Sequence, residues 1–370
     1  MNEQILFIGL DVDDNAYHAG VLSKDEKIDQ EFKCKPVVSV LVEKLKKYLE
    51  KGYELRICYE ATYLGFSLCR ELRKRGFHCE VIAPSLIPRK PGKKVKTDRL
   101  DGKKLARYYR SNDLTVIRVP SEEEETVRDL IRTRGALGEK VRKTKLQIIS
   151  LCRRQGWQYR EAGKKDSYWT GKHLGWLKQQ SEEAKYSALK INLSQLLEHL
   201  TQEQERVARY DLEIDRIAHL PSYRTKVQAL ICYRGINTLT AMILILELGD
   251  INRFNHPKRV TGYAGMDLVE DTSGGKEKKY HMTKMGNGYV RKAAIEACQS
   301  VFNKPKVGRA LKLRRENVDD RFITIADRCH KRLHKKSIRL LYSGKGKNKI
   351  KVAAARELLC FVWESLKEAA

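Results

Sequence analysis

Short apolar runs separated by polar turns fill the first third of the chain. The run from Ile5 to Val12 predicts a β-strand, and the run from Tyr17 to Leu22 predicts its antiparallel partner across a polar turn. Apolar residues at helical spacing then alternate with further short runs. The predicted elements that follow are a strand at 28–33, a helix at 37–49, a strand at 55–59, a helix at 63–75, a strand at 79–83 and a helix from about residue 97.

This order, β-β-β-α-β-α-β-α, is typical of an RNase H-like fold, in which a meander precedes parallel strands. In that arrangement the first strand and the strand that precedes Glu60 are neighbours at the centre of the sheet. We therefore expect Asp11 and Glu60 to face each other. Asp13 is a competing candidate because side chains alternate along a strand with period two, and the pattern alone does not choose between Asp11 and Asp13.

Longer helical patterns occupy the middle of the chain. Ser121 followed by four glutamates predicts a helix start, and this helix is expected to run to about Arg154. From Leu193 to the helix-ending Pro221, apolar residues recur at every seventh position, which predicts a coiled coil within the chain or between chains. The two rows are Leu193, Leu200, Val207 and Ile214, and Leu196, Tyr210 and Ile217, the second interrupted by Glu203.

Aromatic residues alternate with cations between these two long helices. Aromatic rings between cations can stack on unpaired bases while the cations follow the phosphate backbone. The alternative is that Trp169 and Trp176, seven residues apart, form one buried helical stripe. The aromatic residues are Trp157, Tyr159, Tyr168, Trp169 and Trp176.

The charge of the chain narrows the classes of partner. Among 370 residues, 74 lysines and arginines outnumber 47 acids, which gives a formal net charge of +27. The cations are spread along the whole chain, so the positive field belongs to the folded surface and favours nucleic acid. No apolar run approaches the ~20 residues of a spanning helix and no signal-peptide pattern is present, so we expect a cytoplasmic protein without a membrane partner.

Nine cysteines are dispersed along the chain, with no two at the close spacing of a zinc knuckle. An odd and scattered set without an export signal predicts reduced, mostly buried thiols. We expect no structural zinc.

Two carboxylates, Asp98 and Asp101, lie inside a strongly basic run from Arg89 to Arg110. Residues three apart on a helix share a face, so both carboxylates can point at the sheet. Together with acids from two strands they could hold two Mg²⁺ ions ~4 Å apart, as metal-dependent phosphodiester cleavage requires. The alternative is that both acids only decorate the first turn of a helix capped by Thr97.

A second candidate site is Asp271-Thr272-Ser273-Gly274-Gly275-Lys276. A serine nucleophile must approach phosphorus closely, so small neighbours help, and nearby cations offset charge on the phosphoryl oxygens. Ser273 has glycines after it and lysines close by. Taken alone, a Ser-Gly-Gly stretch is more often a surface turn.

The ordered set of these motifs carries a family resemblance. Gly9-Leu10-Asp11-Val12, Tyr59-Glu60-Ala61-Thr62, Lys96-Thr97-Asp98-Arg99-Leu100-Asp101 and Ser273-Gly274-Gly275-Lys276 together resemble the DEDD-type transposases of bacterial insertion sequences, the family numbered one hundred and ten. The sequence departs from the family pattern at Asp13 and Asp14, at Thr272, and at Arg234 and Asn237 in a turn that usually reads Pro-Gly-Ile-Gly, as in helix-hairpin-helix modules.

The resemblance implies an α/β plus α architecture. It consists of a RuvC-like domain with the RNase H fold at 1–120, a helical and coiled-coil region at 121–222, and a mainly helical transposase domain at 223–370. The implied metal ligands for Mg²⁺, two per composite site, are Asp11, Glu60, Asp98 and Asp101, and the implied nucleophile is Ser273. The cations assigned to nucleic acid are Arg89, Lys90, Lys93, Lys94, Lys96, Arg234, Lys276, Lys278, Lys284 and Arg291.

The resemblance also implies partners and a mechanism. Ser273 would form a phosphoserine–DNA intermediate, with the acids of one subunit meeting the serine of another in a dimer or tetramer. A structured bridge RNA would guide donor and target DNA in the bacterial cytoplasm, in association with the nucleoid. Two alternatives remain, namely a RuvC-like metal-dependent nuclease or junction resolvase that uses activated water, and a non-catalytic nucleic-acid-binding protein.

Overall fold

The computed structural model describes residues 4–25, 27–88, 98–160, 167–273 and 276–370, and of these the backbone alone at 98–100, 269–273 and 276–280. The chain divides into two compact units, Met1–Glu122 and Glu123–Ala370. The first unit is mixed α/β and the second is mainly helical. The boundary at residue 222, between the coiled-coil region and the transposase domain, stays a prediction.

A six-stranded sheet forms the first unit, with the strand order β3-β2-β1-β4-β5-β6. Strand β1 is antiparallel to β2 and parallel to β4, which places β1 and β4 side by side as predicted. The elements are β1 (Ile5–Val12), β2 (Tyr17–Ser23), β3 (Asp29–Cys34), α1 (Val38–Leu49), β4 (Glu54–Glu60), α2 (Ser67–Lys74), β5 (His78–Ile82), α3 (Asp98–Arg110) and β6 (Val116–Ile117), with a 3₁₀ turn at Pro84–Leu86.

The predicted order of elements is confirmed, with two differences of detail. Strand β6 has only two residues and was not predicted. Helix α2 begins at Ser67 rather than near Tyr63, because Gly65 has a positive φ of 66° that a helix cannot contain.

The two faces of the sheet carry different helices. Leu6, Ile8 and Leu10 of β1 are fully buried in the cluster that also contains residues of α1 and α2. On the opposite face, Cys58 of β4 packs with Leu105 of α3. Because side chains alternate along a strand, the odd-numbered residues of β1 point to the α3 face.

The second unit consists of helices around a large core and a smaller second cluster, with a two-stranded hairpin. Helix α8 is buried on nearly all sides, and its residues form the centre of this core. The elements are α4 (Glu122–Arg154), α5 (Gly171–Glu182), α6 (Ser187–Ala218), α7 (Pro221–Ile231), α8 (Thr238–Leu248), a 3₁₀ turn at Ile251–Arg253, α9 (Pro257–Tyr263), β7 (Leu268–Ser273), β8 (Lys276–Met282), α10 (Gly288–Ala297), α11 (Arg309–Arg314), α12 (Asp320–Tyr342) and α13 (Lys347–Glu368).

The heptad seam of α6 packs against α4 of the same chain. Leu193 and Leu200 share a buried cluster with Ile148 and Leu151 of α4. The interruption at Glu203 has a partner there, since the Thr144 hydroxyl donates a 2.9 Å hydrogen bond to its carboxylate. The heptad pattern left open whether the partner helix belongs to the same chain or to another chain. The structure shows a partner helix within the same chain.

The aromatic segment packs around a buried histidine. Rings of Tyr159, Trp169 and Trp176 lie with centroids 4.5 to 5.8 Å from that of His173. Trp169 precedes α5 and has a positive φ of 68°, so the hypothesis that Trp169 and Trp176 share one helical stripe is wrong. Base stacking by these rings stays a prediction.

All nine cysteines are free thiols, and eight of them are buried, as predicted. Within the described ranges, every helix is too short or too polar to cross a lipid bilayer.

Candidate active site

Glycines set the distance between helix α3 and the sheet. A Cβ atom on Gly9 of β1 would lie 2.3 Å from the carbonyl oxygen of Gly102, and one on Gly20 of β2 would lie 2.5 Å from Cα of Lys103. Real side chains never come so close to backbone atoms. The three glycines therefore allow α3 to lie directly on β1 and β2.

The direction of α3 follows from its contacts with β1. The Tyr109 ring meets Phe7 edge-on with centroids 5.8 Å apart, whereas Gly102 lies against Gly9. Moving towards the start of α3 thus means moving towards the carboxyl end of β1. The first turn of α3, which contains Asp98 and Asp101, is directed to the end of the strand that holds Asp11.

The strand acids share the α3 face. Leu10 pairs with Tyr59 in the parallel register of β1 and β4, so Asp11 and Glu60 occupy the next positions of neighbouring strands. Alternation places Asp11 with Phe7 and Gly9, and Glu60 with Cys58, on the face that α3 covers. Asp11, Glu60 and Asp101 are all partly buried. The side chain of Asp98 lies outside the described residues.

The two extra acids after β1 have local partners. Asp13 accepts hydrogen bonds from the backbone and side-chain nitrogens of Asn15, at 2.9 and 2.8 Å, and so closes the turn into β2. Desolvation and the neighbouring Asp14 carboxylate raise the pKa of the Tyr63 hydroxyl, so the turn after β1 lies close to the loop after β4.

The side chain of Tyr59 holds the loop that follows Glu60 in place. The hydroxyl of buried Tyr59 donates to the Gly65 carbonyl at 3.0 Å and accepts from the Cys69 amide at 3.3 Å. This role of Tyr59 could not be predicted from the sequence, because no local pattern indicates that its hydroxyl contacts Gly65 and Cys69.

The end of the sheet where β1 and β4 finish offers carboxylate oxygens, which suit a divalent cation. Carboxylates are hard donors of the type that Mg²⁺ prefers. Among the side chains that the structure describes, no three acids, histidines or cysteines form a ready cluster. Asp11, Glu60 and Asp101 supply oxygen ligands at the same end of the sheet, but their side chains are not gathered around one point that could hold an ion.

Residues 89–97 of the basic run lie outside the described residues, so their predicted contact with nucleic acid stays an expectation. They include the predicted nucleic-acid contacts Arg89, Lys90, Lys93, Lys94 and Lys96.

Ser273 is the last residue of strand β7. Its backbone pairs with Lys276 at the start of β8, so the glycine pair 274–275 connects the two strands. The serine thus stands at the distal end of a hairpin. The side chains of Ser273, Lys276 and Lys278 lie outside the described residues.

The opposite end of this hairpin, which we call the hairpin base, is closed by backbone hydrogen bonds. The amide of Thr283 donates to Asp267 at 2.9 Å, that of Lys284 to Gly265 at 3.0 Å, and that of Asn287 to Tyr263 at 2.7 Å. Arg291 of α10 donates to the Ala264 carbonyl at 2.7 Å. Arg291 therefore supports the base, and Lys284 is exposed there.

The turn between α7 and α8 contains the two departures from the family pattern, Arg234 and Asn237. Gly235 has a φ of 85°, and a Cβ atom there would be 2.1 Å from the Ala297 carbonyl oxygen. Asn237 has an extended backbone with a φ of −101°, and its side chain caps α8 by accepting from the Thr240 amide.

Arg234 is engaged within the second unit. Its guanidinium donates to the backbone carbonyls of Asn303, Lys304 and Lys306 at 2.8 to 3.2 Å. The side chain thereby ties the turn to the segment after α10. A contact of Arg234 with phosphate stays a prediction.

Two family profiles match the chain. The profile described as "Transposase IS116/IS110/IS902 family" matches residues 227–312, which include the hairpin. A second profile, described as "Transposase" and built for the DEDD enzymes of IS110, matches residues 8–154, which include the sheet acids and α3.

Curated relatives agree with the profiles. A protein of Sinorhizobium fredii (strain NBRC 101917 / NGR234), named as a transposase, is 34% identical over 325 residues, which cover 88% of this chain and 78% of the relative. The transposase for insertion sequence element IS1533 of Leptospira borgpetersenii is 30% identical over 253 residues, which cover 66% of this chain and 70% of the relative.

Proposed function

The chain belongs to the IS110 family of DEDD transposases, enzymes that cut and rejoin DNA, and we propose that it does so through a phosphoserine intermediate formed by Ser273. The observation that carries this proposal is the position of Ser273 at the distal end of a hairpin whose base is closed by three backbone hydrogen bonds.

The serine chemistry conserves the energy of the phosphodiester. A bond forms between Ser273 Oγ and phosphorus while one bridging P–O bond of the DNA breaks, and the proton of the serine hydroxyl balances the one that the leaving deoxyribose oxygen acquires. Attack by a deoxyribose hydroxyl of another strand then reverses the step and restores Ser273. No external energy source is needed for rejoining.

Asp11, Glu60, Asp98 and Asp101 would hold Mg²⁺ beside the scissile phosphate. When bound, such ions supply Lewis acidity that offsets charge on the phosphoryl and leaving oxygens. The residues of this chain contribute the rest. The glycine contact between α3 and β1 allows the first turn of α3 to approach the end of the sheet where β1 and β4 finish, and the Tyr59 hydroxyl fixes the loop that follows Glu60.

We further propose that the first unit is an RNase H-like, RuvC-like domain. Its central parallel pair, β1 and β4, flanked by the antiparallel strands β2 and β3, supports this assignment. The acids at the carboxyl ends of that pair lie where a metal-dependent nuclease site of this fold would be expected.

The family implies that DNA is the substrate. The excess of cations also suits a second polyanionic partner besides DNA. We propose that this second partner is a structured bridge RNA that guides donor and target DNA. We also propose assembly of two to four copies, so that Ser273 of one copy meets the acids of another.

The alternative is a nuclease or junction resolvase that uses activated water. The four acids all belong to the first unit and Ser273 belongs to the second, so cleavage by the acids alone is a coherent second candidate.

One experiment separates the two candidates. The full-length protein, with the RNA that copurifies with it, is incubated in Mg²⁺ with labelled DNA that contains the ends of its own element. The transposase proposal expects a denaturant-resistant protein–DNA adduct that is lost in Ser273→Ala and in Asp11→Ala. Cleavage that survives Ser273→Ala without any adduct would instead support the nuclease.

A further inference from the structure

Asn287 and Glu247 join the hairpin base to two helices of the second unit. Glu247, near the end of α8, is only 4% exposed, so its charge needs partners. Arg132 of α4 donates to both of its carboxylate oxygens, at 2.9 and 3.0 Å. The side-chain amide of Asn287 donates to the same carboxylate at 2.8 Å.

Asn287 has three contacts that fix one short segment. Its side-chain oxygen accepts from the amides of Tyr289 and Val290 and so caps helix α10. Its backbone amide donates to the Tyr263 carbonyl in the hairpin base at 2.7 Å. Its amide nitrogen reaches Glu247. One side chain therefore sets the start of α10, the end of the hairpin and their distance from α8.

Neighbouring contacts reinforce the same point. The hydroxyl of Tyr263 donates to the Glu247 backbone carbonyl at 2.9 Å and lies 3.3 Å from the Asn287 amide. The Arg132 guanidinium also lies over the ring of Tyr289, 4.7 Å from its centroid. The base of the hairpin is thus attached to α4 and α8 through side chains, while its serine end extends away from these contacts.

We propose that Asn287, held by Glu247, is a positioning residue for Ser273. The inference rests on the proposed role of Ser273 as nucleophile. A hairpin transmits a shift at its base to its far end, and a displacement of ~1 Å of a reacting group can cost about a hundredfold in rate. The link to Glu247 therefore controls how well Ser273 is aligned with the scissile phosphate.

Two substitutions at Asn287 break the link and keep the helix cap. Asn287→Ser retains a capping oxygen but lacks the amide that reaches Glu247. Asn287→Asp caps equally well and places a second carboxylate against that of Glu247. The double variant Asn287→Asp/Glu247→Gln exchanges donor and acceptor between the two positions, because the side-chain amide at position 247 can donate to the carboxylate at position 287. Arg132 keeps the side-chain oxygen at position 247 as an acceptor, and the carboxylate at position 287 remains near its charge.

A matched control exists in the same unit. Asn237 caps α8 through the Thr240 amide in the way that Asn287 caps α10. Asn237→Ser therefore makes the same chemical change at a cap outside the hairpin base, and reports the effect of a weakened cap alone.

Two measurements test the proposal. The first is the single-turnover rate of adduct formation at saturating DNA, together with the DNA dissociation constant. We expect Asn287→Ser and Asn287→Asp each to slow the adduct step by about tenfold or more with little change in DNA affinity. The double variant should recover most of the loss seen in Asn287→Asp, and Asn237→Ser should react at close to the wild-type rate.

The second measurement is hydrogen exchange of the hairpin amides, which does not depend on any reaction. We expect faster exchange in Asn287→Asp and recovery in the double variant. Wild-type exchange in Asn287→Asp, or a rate loss that the reversed pair leaves unchanged, would overturn the inference. Absence of an adduct in the wild type would defeat the nucleophile proposal separately, while exchange would still report on the hairpin.

Discussion

Gly9 of β1 and Gly102 of α3 are in backbone contact, and a Cβ atom on Gly9 would lie 2.3 Å from the Gly102 carbonyl oxygen and 2.4 Å from the Ala106 amide nitrogen. Neither neighbour is a flexible side chain that could move aside. Any larger residue at position 9 must push α3 away from the sheet. Since α3 contributes Asp98 and Asp101, this contact controls the distance between helix acids and strand acids.

Gly9→Ala should therefore impair both stability and cleavage. Overpacking of this kind costs ~1–3 kcal/mol, and the displaced helix would separate Asp101 from Asp11. Denaturant unfolding and Mg²⁺-dependent adduct formation would check both effects. Gly135→Ala is the control, since a Cβ atom there meets nothing within 4 Å, and alanine in that helix should stabilise by up to ~1 kcal/mol. A fully active Gly9→Ala enzyme would contradict the role of this contact.

The element order was predictable because it depends on local patterns. Strand β1 was predicted with its observed ends, since its eight residues form one largely apolar run that a polar turn follows. The contact of Gly9 with Gly102 was not predictable, because the two residues are 93 positions apart and glycine has no pattern of its own. The same applies to Glu203, whose partner Thr144 lies on another helix.

The candidate site was predictable only in its parts. The motifs around Asp11 and Ser273 can be recognised in the sequence. The contacts that hold these motifs in place join distant parts of the chain and cannot be recognised there. Glu247 in particular reads as an ordinary acid at the end of an apolar helix. Its burial and its link to Asn287 become apparent only when α4, α8 and α10 are packed together.

The buried pair Thr144 and Glu203 gives a second prediction. Thr144→Val removes the hydroxyl that donates to the carboxylate, and His199, 3.2 Å away, is then the partner that the buried acid retains within the described part of the chain. We expect a loss of ~1–3 kcal/mol in the free energy of unfolding. Thr144→Val/Glu203→Leu should regain this loss, because well-packed apolar residues often replace buried charges without cost. Additive losses in the double variant would contradict the argument.

The two aspartates at the end of β1 give a third prediction. Asp11 lies within the strand on the α3 face, whereas Asp13 closes the turn through Asn15. Asp11→Asn should abolish Mg²⁺-dependent cleavage. Asp13→Asn keeps an oxygen that accepts from the Asn15 amide, so activity should stay within about threefold of wild type if only the turn matters. Mg²⁺ titrations of adduct formation in both variants would test this, and equal losses would instead make Asp13 a ligand.

His330 gives a prediction about pH. Its Nε2 accepts the backbone amide of Arg234 at 2.7 Å, which requires the neutral ring. Burial first, and then the charge of Arg315, lower the pKa of His330 to about 4.

Between pH 6.5 and about 4 the unfolded chain therefore binds a proton at this histidine that the folded chain does not bind. The free energy of unfolding must fall as the pH falls through this window, by up to ~3 kcal/mol. Urea unfolding of the wild type and of His330→Gln from pH 4 to 7 checks the sign and the size. The glutamine oxygen can still accept from Arg234 but does not titrate, so the variant should show a shallower decline. Equal slopes in the wild type and in His330→Gln would exclude His330 as the cause.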